Sequence, residues 1–187
     1  MKLFFCTIVT ILLILLACSK DKKDKDVVNI SGFVITDNLG NQIGVIGDAS
    51  DDWQIRNWSE LSTKEQTFLG FPDNIDLSNT VITTLGNPIA YPNPFSNQCS
   101  IHFSSGDSVK LKIAVVDAKG IISRTIAIKM KGSQNLSFDF SDNAQFPTGK
   151  SLRFYYSFST AAQQNFKVGY GDVKVCKPNP IPYSQCF

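Results

Sequence analysis

Between Cys99 and Val175 the chain alternates apolar and polar residues in runs of period two. Large side chains in such runs share one face only if the backbone is extended. "CSIHFS" sets Cys99, Ile101 and Phe103 on one side, and "VKLKIAVVD" sets Val109, Leu111, Ile113 and Val115 opposite Lys110 and Lys112. "IISRTIAIKM" aligns Ile122, Ile126, Ile128 and Met130, with Arg124 as a polar interruption. "LSFDF" and "SLRFYYSF" align Leu136, Phe138 and Phe140, then Leu152, Phe154, Tyr156 and Phe158. In "NFKVGYGDVKV" the parity slips at Gly171, which predicts a β-bulge there. Six short runs joined by Gly, Asn, Ser and Asp turns predict an all-β antiparallel sandwich with one wet face per sheet. Each large apolar side chain buried contributes about 1.5–3 kcal/mol. The aligned residues therefore offset chain entropy only by facing one core.

Upstream the pattern changes. "NISGFVITD" and "QIGVIGD" flank the turn signal "NLGN", where Gly40 supplies a positive φ, and together they predict a β-hairpin. In "LSTKEQTFL", Ser62 and Glu65 have capping-box spacing, so a short helix is expected over 63–69, stopped by Gly70 and Pro72. Trp53, Trp58, Leu61, Phe68 and Phe71 would dock this turn on the hairpin or the sheet. "VITTLG" reads as a short strand or connector. The expected organisation is a hairpin-plus-helix region over 27–90, a sandwich over 91–176 and a Pro-rich tail over 177–187.

The amino-terminal stretch reads as a processed leader. After Met1-Lys2, the apolar run Leu3 to Leu16 has 14 residues, whereas a helical span of the bilayer takes about 20. The run ends Leu15-Leu16-Ala17-Cys18, which resembles the lipobox of bacterial lipoproteins. The resemblance implies a signal peptide over 1–17, lipidation of Cys18, and a membrane partner held through that lipid. Ser19 to Asp26, with four Lys and three Asp, has no apolar residue and should be a solvated tether. Lipoproteins of the Bacteroidetes carry charged, Asp-containing signals in this position that direct them to the cell surface. The implied location is the outer membrane, on its surface or periplasmic face.

A second resemblance begins at "YPNPFSNQCSIHFSSGDSVKLKIAVVDAKGIISRTI". It is similar to the C-terminal sorting domain of cargo of the Bacteroidetes type IX secretion system, and to the immunoglobulin-like domain of flagellar hook-capping proteins. The matching residues are Tyr91-Pro92-Asn93-Pro94-Phe95, then Ile101-His102-Phe103, then Leu111 to Asp117 with Gly120, and "FPTGKSLRFYY" at Phe146 to Tyr156. The resemblance implies an immunoglobulin-like sandwich and a sorting role. Two departures stand out: the tail after Cys176 is Pro-rich where the family ends on a basic stretch, and the leader carries a lipobox. Read physically, Pro92 and Pro94 restrict the backbone, and Tyr91 and Phe95 would plug the end of the sandwich.

The sequence excludes more chemistry than it suggests. The formal net charge is +2 with no basic stripe, which argues against nucleic acid. No Gly-rich phosphate loop and no G-x-S-x-G occurs. His102, the one histidine, sits on the polar face between Ser100 and Ser104 and is expected to be solvated. Asp48, Asp51 and Asp52 form the densest acidic cluster, with Asp73, Asp76 and Asn79 a second; both are weak candidates for a hard cation, and turn formation explains both. Trp53 and Trp58, with Tyr155, would form a sugar platform if exposed. After removal of the leader and lipidation of Cys18, Cys99, Cys176 and Cys186 remain. A Cys176–Cys186 bond would staple the tail and is preferred over Cys99–Cys176, with free thiols the alternative. No cofactor is implied. The expectation is a non-enzymatic, lipid-anchored envelope protein whose sandwich serves adhesion, assembly or scaffolding, with envelope proteins or glycans as partners. The alternatives are a glycan-binding accessory lipoprotein and a type IX sorting domain.

Overall fold

The structure, a computed structural model, describes residues 28–78, 80–177 and 186. The leader 1–17, Cys18, the tether, Asn79 and the prolines of the tail lie outside the described residues. The elements in chain order are β1 (Gly32–Thr36), β2 (Gln42–Gly47), a 3-10 turn (Trp58–Glu60), α1 (Thr63–Phe68), β3 (Leu85–Tyr91), β4 (Gln98–Asp117), β5 (Ile122–Asp139), β6 (Ser151–Ser159) and β7 (Lys167–Lys174).

The six runs form four strands. β4 has 20 residues and β5 has 18, and they pair along their lengths as one antiparallel hairpin. Its register breaks between Ser105 and Val109, and the two halves of β4 take different partners. The first half pairs with β3 and the second with β6, which pairs with β7. A strand that changes sheets at such a break makes the corner of a sandwich. One layer is β3, the first half of β4 and the second half of β5. The other is the first half of β5, the second half of β4, β6 and β7. Between them lie Ile101, Phe103, Leu111, Ile113, Phe138, Phe140, Phe154 and Phe158, all buried. The fold is thus an all-β antiparallel sandwich with a short hairpin and one short helix. β3 belongs to the sandwich, so its first strand starts at Leu85, inside the 27–90 region, and not at Tyr91.

The hairpin and helix form as their local chemistry dictates. Asp37 accepts from the amides of Leu39 and Asn41, and Gly40 takes φ +84°. The Ser62 hydroxyl accepts from the Glu65 amide, and the Glu65 carboxylate accepts from the Ser62 amide at 2.8 Å. Glu65 also accepts from the Tyr155 hydroxyl at 3.0 Å, so the cap ties α1 to β6.

Two expectations fail for one reason: the upstream segment is part of the sandwich. The outer face of the second sheet is covered over β4, β6 and β7 and wet only along β5. Ala114, Val116, Tyr155 and Val168 are buried there under Val28, Leu61, Phe68 and Leu69, with Trp58, Phe71 and Tyr170 at the margin. Lys110 and Lys112 are covered as well, and both reach Asp73, at 3.2 and 3.0 Å. Nor is there a bulge at Gly171. β6 and β7 pair without a shift from Ser151↔Lys174 to Phe158↔Lys167. Gly169 and Gly171 lie on the inner face with Val173, and Val168, Tyr170 and Asp172 point the other way. The apparent slip reflects two absent side chains. A Cβ on Gly171 would sit 2.1 Å from the Trp53 ring, and one on Gly169 would meet the Gln54 carbonyl at 2.2 Å. The shift that does occur in this region lies between Val115 and Val116, opposite Ser123, and it turns Arg124 over the Phe146 ring.

Trp53 fills the space the glycines leave. Its ring stacks on Tyr156 at 6.3 Å and 5°, and it sits in the main core beside Phe154. Its φ of 57° is a left-handed conformation that a Trp adopts only when its surroundings over-determine it. In a Trp58→Phe background, Gly171→Ala should lower stability by about 1–3 kcal/mol, the range for overpacking. Urea denaturation measures the loss, and a red shift of Trp53 emission reports expulsion of the ring.

Candidate functional site

β7 has β6 on one side, and its other edge would be bare. Residues from two separate stretches, 52–56 and 93–95, seal that edge. The Val168 amide donates to the Arg56 carbonyl at 3.0 Å, and the Arg56 amide returns a bond at 2.7 Å. The Trp53 amide donates to the Tyr170 carbonyl at 2.8 Å. The Asp172 amide donates to Asp52 Oδ1 at 3.1 Å. The Lys174 amide donates to Asn93 Oδ1 at 3.0 Å, and Asn93 Nδ2 donates to the Asp172 carbonyl at 3.0 Å. The Phe95 amide donates to the Lys174 carbonyl at 3.0 Å.

The Asn93 side chain thus copies a peptide unit in the ladder. Its second Nδ2 hydrogen goes to the Val34 carbonyl at 2.7 Å, and its backbone exchanges bonds with Thr36. This fully buried amide joins β1 to β7 with its side-chain bonds filled. Around it, Phe95 packs on Phe140 at 4.9 Å, as the plug expected from the motif, whereas Tyr91 is half-buried beside the Gly40 turn.

Next to Asn93 lies a buried charge cluster. Arg153 holds Asp172 by two bonds of 2.6 Å, donates to the Asn29 carbonyl at 2.8 Å and lies 4.1 Å from the Tyr170 ring centre. Burial pushes the Asp172 carboxyl up, and the Arg153 hydrogen bonds and charge oppose it. Asp52 takes the amides of both Val34 and Asp172. Burial, then the charge of Asp172, pushes the Asp52 carboxyl up to about 8.

The acidic cluster of the sequence does not converge. Asp48 turns back on the Ser50 amide and hydroxyl, Asp51 pairs with Arg56 at 3.0 Å, and Asp52 points inward. Among the described residues, no three His, Cys, Asp or Glu side chains are grouped to hold a metal ion. A small cavity of about 190 Å³ touches all three aspartates, and its other lining residues include Arg153 and Tyr170. The second cluster also separates: Asp73 lies under Lys110 and Lys112, and Asp76 lines a different recess. Desolvation pushes the Asp73 carboxyl up, but hydrogen bonds from Lys112, the Ile75 amide and Lys110 hold it below the usual carboxylate range.

No sugar platform forms from the aromatic candidates. Trp53 and Tyr155 are buried, and Trp58 is partly buried against the outer cluster. The stacking surface fails because Trp53 is needed over Gly171. A groove of about 500 Å³ runs between the hairpin and β3, and its lining includes Val34, Val45, Gln54, Asn87 and Ile89. His102 Nδ1 lies 2.7 Å from Asn135 Oδ1 across the β4–β5 pair, which engages it as a cross-strand partner. Cys176 is bonded to Cys186, with Cα atoms 5.6 Å apart, and Cys99 is a buried thiol. Burial raises the Cys99 thiol far above its usual range, so it is inert.

Three residues of this site, Asn93, Arg153 and Asp172, did not stand out in the sequence. Arg153 and Asp172 carried a signal, as the one charge of β6 and the one acid of β7. Asn93 stood between two prolines that drew the reading to backbone geometry.

Residues 89–146 match the family model described as a secretion system C-terminal sorting domain. The match covers the end of β3 and all of β4 and β5, and it includes Asn93. A domain of that family implies a secreted or cell-surface protein. No curated protein and no solved structure matches the chain. Among the described residues, no helix is long and apolar enough to cross a membrane.

Asn93→Ala would leave the Lys174 amide and the Val34 and Asp172 carbonyls without partners. Each such buried loss costs about 1–3 kcal/mol, so the variant should lose most of a small domain's stability, read by thermal unfolding. Asp52 gives a pH signature. Its folded pKa lies above its unfolded value of about 4, so its contribution is fully present in acid and lost as pH rises toward 8. The protein should be less stable at pH 9 than at pH 6 by roughly 2 kcal/mol from this group. Asp52→Asn should flatten that slope, as urea midpoints at the two pH values would show.

Proposed function

We propose that the chain is a lipid-anchored cell-surface protein whose β-sandwich is a non-catalytic sorting and scaffold module read by a type IX secretion apparatus. The observation that carries the sorting part is the family match over 89–146. The geometry supports the non-catalytic part. The buried Asp52 and Asn93 are spent on the edge of β7, and the aspartates are parted among turns, ion pairs and that edge. The lipobox-like Leu15-Leu16-Ala17-Cys18 supports the anchor. Two acyl signals give stable attachment where one chain gives only marginal binding.

Sorting-type sandwiches are pictured as appendages on separate cargo. Here residues 28–78 cover the outer face of the second sheet and seal its edge, so the recognised body is the whole of 28–177 and Cys186. The Tyr91–Phe95 motif acts as a fold determinant, because Asn93 and Phe95 are buried. Recognition therefore falls on other, exposed surfaces.

The test is a secreted reporter with an ordinary signal peptide, fused ahead of residues 28–187. In a host with the type IX apparatus, protease shaving of intact cells should remove the reporter. In a strain lacking the apparatus it should be protected. Equal shaving in the two strains would overturn the sorting role.

A further inference from the structure

The turn between β4 and β5 exposes two adjacent isoleucines. Ile121 is 60% exposed and Ile122 is 43% exposed. Such turns ordinarily carry polar residues, and the rest of this one does: Asp117 accepts the amides of Lys119 and Ile121, and Lys119 is exposed. The backbone is therefore satisfied within the turn, and the isoleucines are not needed to form it. A recess of about 490 Å³ beside them is lined by Asp117, Ala118, Lys119, Ile121, Lys150 and Ser151. Asp117 pairs with Lys150 at 3.5 Å, which leaves Lys119 as the uncompensated charge of the tip.

The chain enters the folded body at this turn. The Val28 amide donates to the Ala118 carbonyl at 3.0 Å, which pins the start of the described chain three residues from Ile121. From Cys18 to Val28 is ten residues, and a chain of that length reaches at most about 35 Å. A lipid on Cys18 would thus hold Ile121 and Ile122 at an effective concentration near the millimolar range against the bilayer. At that concentration a contact too weak to bind alone becomes occupied.

We infer that the Lys119–Ile122 turn is a lipid-contacting tip, with Ile121 and Ile122 entering the headgroup boundary of the membrane that carries the Cys18 anchor. This rests on the lipid-anchor reading. Burial of the isoleucines at the interface, with Lys119 beside the phosphates, orients the sandwich with its β4–β5 turn down. The Ser105–Val109 corner then points away. It lies eight residues up β4 from Asp117, or about 26 Å along an extended strand. Ile82 gives a matched control: it is also 60% exposed and adjoins Thr83, whose hydroxyl lies near Gly106 at that corner.

The test uses the full processed protein, purified with its lipid and reconstituted in phosphatidylcholine vesicles containing some phosphatidylglycerol. Ile121→Cys or Ile82→Cys is labelled with an environment-sensitive fluorophore. Cys99 is buried and Cys176 is bonded to Cys186, so the introduced thiol is the reactive one. The expected result is a blue shift and several-fold brighter emission at position 121 on vesicles relative to unlipidated protein made without residues 1–18, with no change at position 82. Equal emission at both positions while the protein stays on vesicles would overturn the tip and leave the anchor standing. Flotation showing the protein free of vesicles, with no acyl mass on Cys18, would overturn the anchor and the tip with it.

Discussion

The exposed edge of β7 is the constraint on which the rest of the structure depends. An edge strand presents a row of unpaired amides and carbonyls, which invites pairing with another chain. This protein closes the row with pieces rather than with an eighth strand: the backbone of Trp53 and Arg56, the carboxyl of Asp52, the amide of Asn93 and the backbone of Phe95. Each piece comes from a loop or a turn that must be held in place. The hairpin, the left-handed Trp53 and the Tyr91–Phe95 crossing are therefore parts of one closure. Removing any of them would leave buried groups unpaired, and the cost of an unpaired buried group exceeds the net gain of a formed hydrogen bond.

The same closure explains why both faces of β7 are buried. Its inner face carries two glycines, so Trp53 lies flat where side chains would stand. Its outer face carries Val168, Tyr170 and Asp172, under the segment that brings Trp53 to its place. Asp172 could not be buried alone there, and Arg153 from the adjoining strand neutralises it with two short bonds. Asp52 is then a third charge-bearing group in a place that can stabilise one ion pair, and its carboxyl shifts toward the neutral form. Buried pairs of this kind give little net stability, but breaking one leaves an uncompensated charge. They fix which segment lies on which face.

The strands were legible because each has a simple period. Phe138, Phe154 and Phe158 are core residues by alternation alone, and the Ser62–Glu65 cap and the Gly40 turn follow from local hydrogen bonding. What the sequence hid depends on partners far away in the chain. Gly171 looked like a break in parity because nothing nearby announces that Trp53, 118 residues earlier, occupies its face. Lys110 and Lys112 looked solvated because alternation assigns a face and not what covers it; Asp73 and the Phe71 carbonyl cover them. Asn93 was hidden differently. Its role needs three acceptors and donors from Val34, Asp172 and Lys174, which come together only after the sheets have packed.

Those long-range bonds also constrain where function can lie. A motif whose Asn and second aromatic are interior cannot be read directly by another protein, so its presence reports a shape. The shape has two distinct ends, because the bend at Ser105–Val109 divides β4 and separates its corner from the β4–β5 turn. The described chain enters at the turn, where Val28 meets Ala118, and the bond between Cys176 and Cys186 lies beyond β7. In the proposed orientation a sorting apparatus acting on the folded body would approach from the sides or from the corner, since an anchor at the turn would place the turn end toward the membrane. The exposed strand faces of β5, studded with Ser133, Gln134 and Asn135, are the broad polar surface that this orientation leaves open.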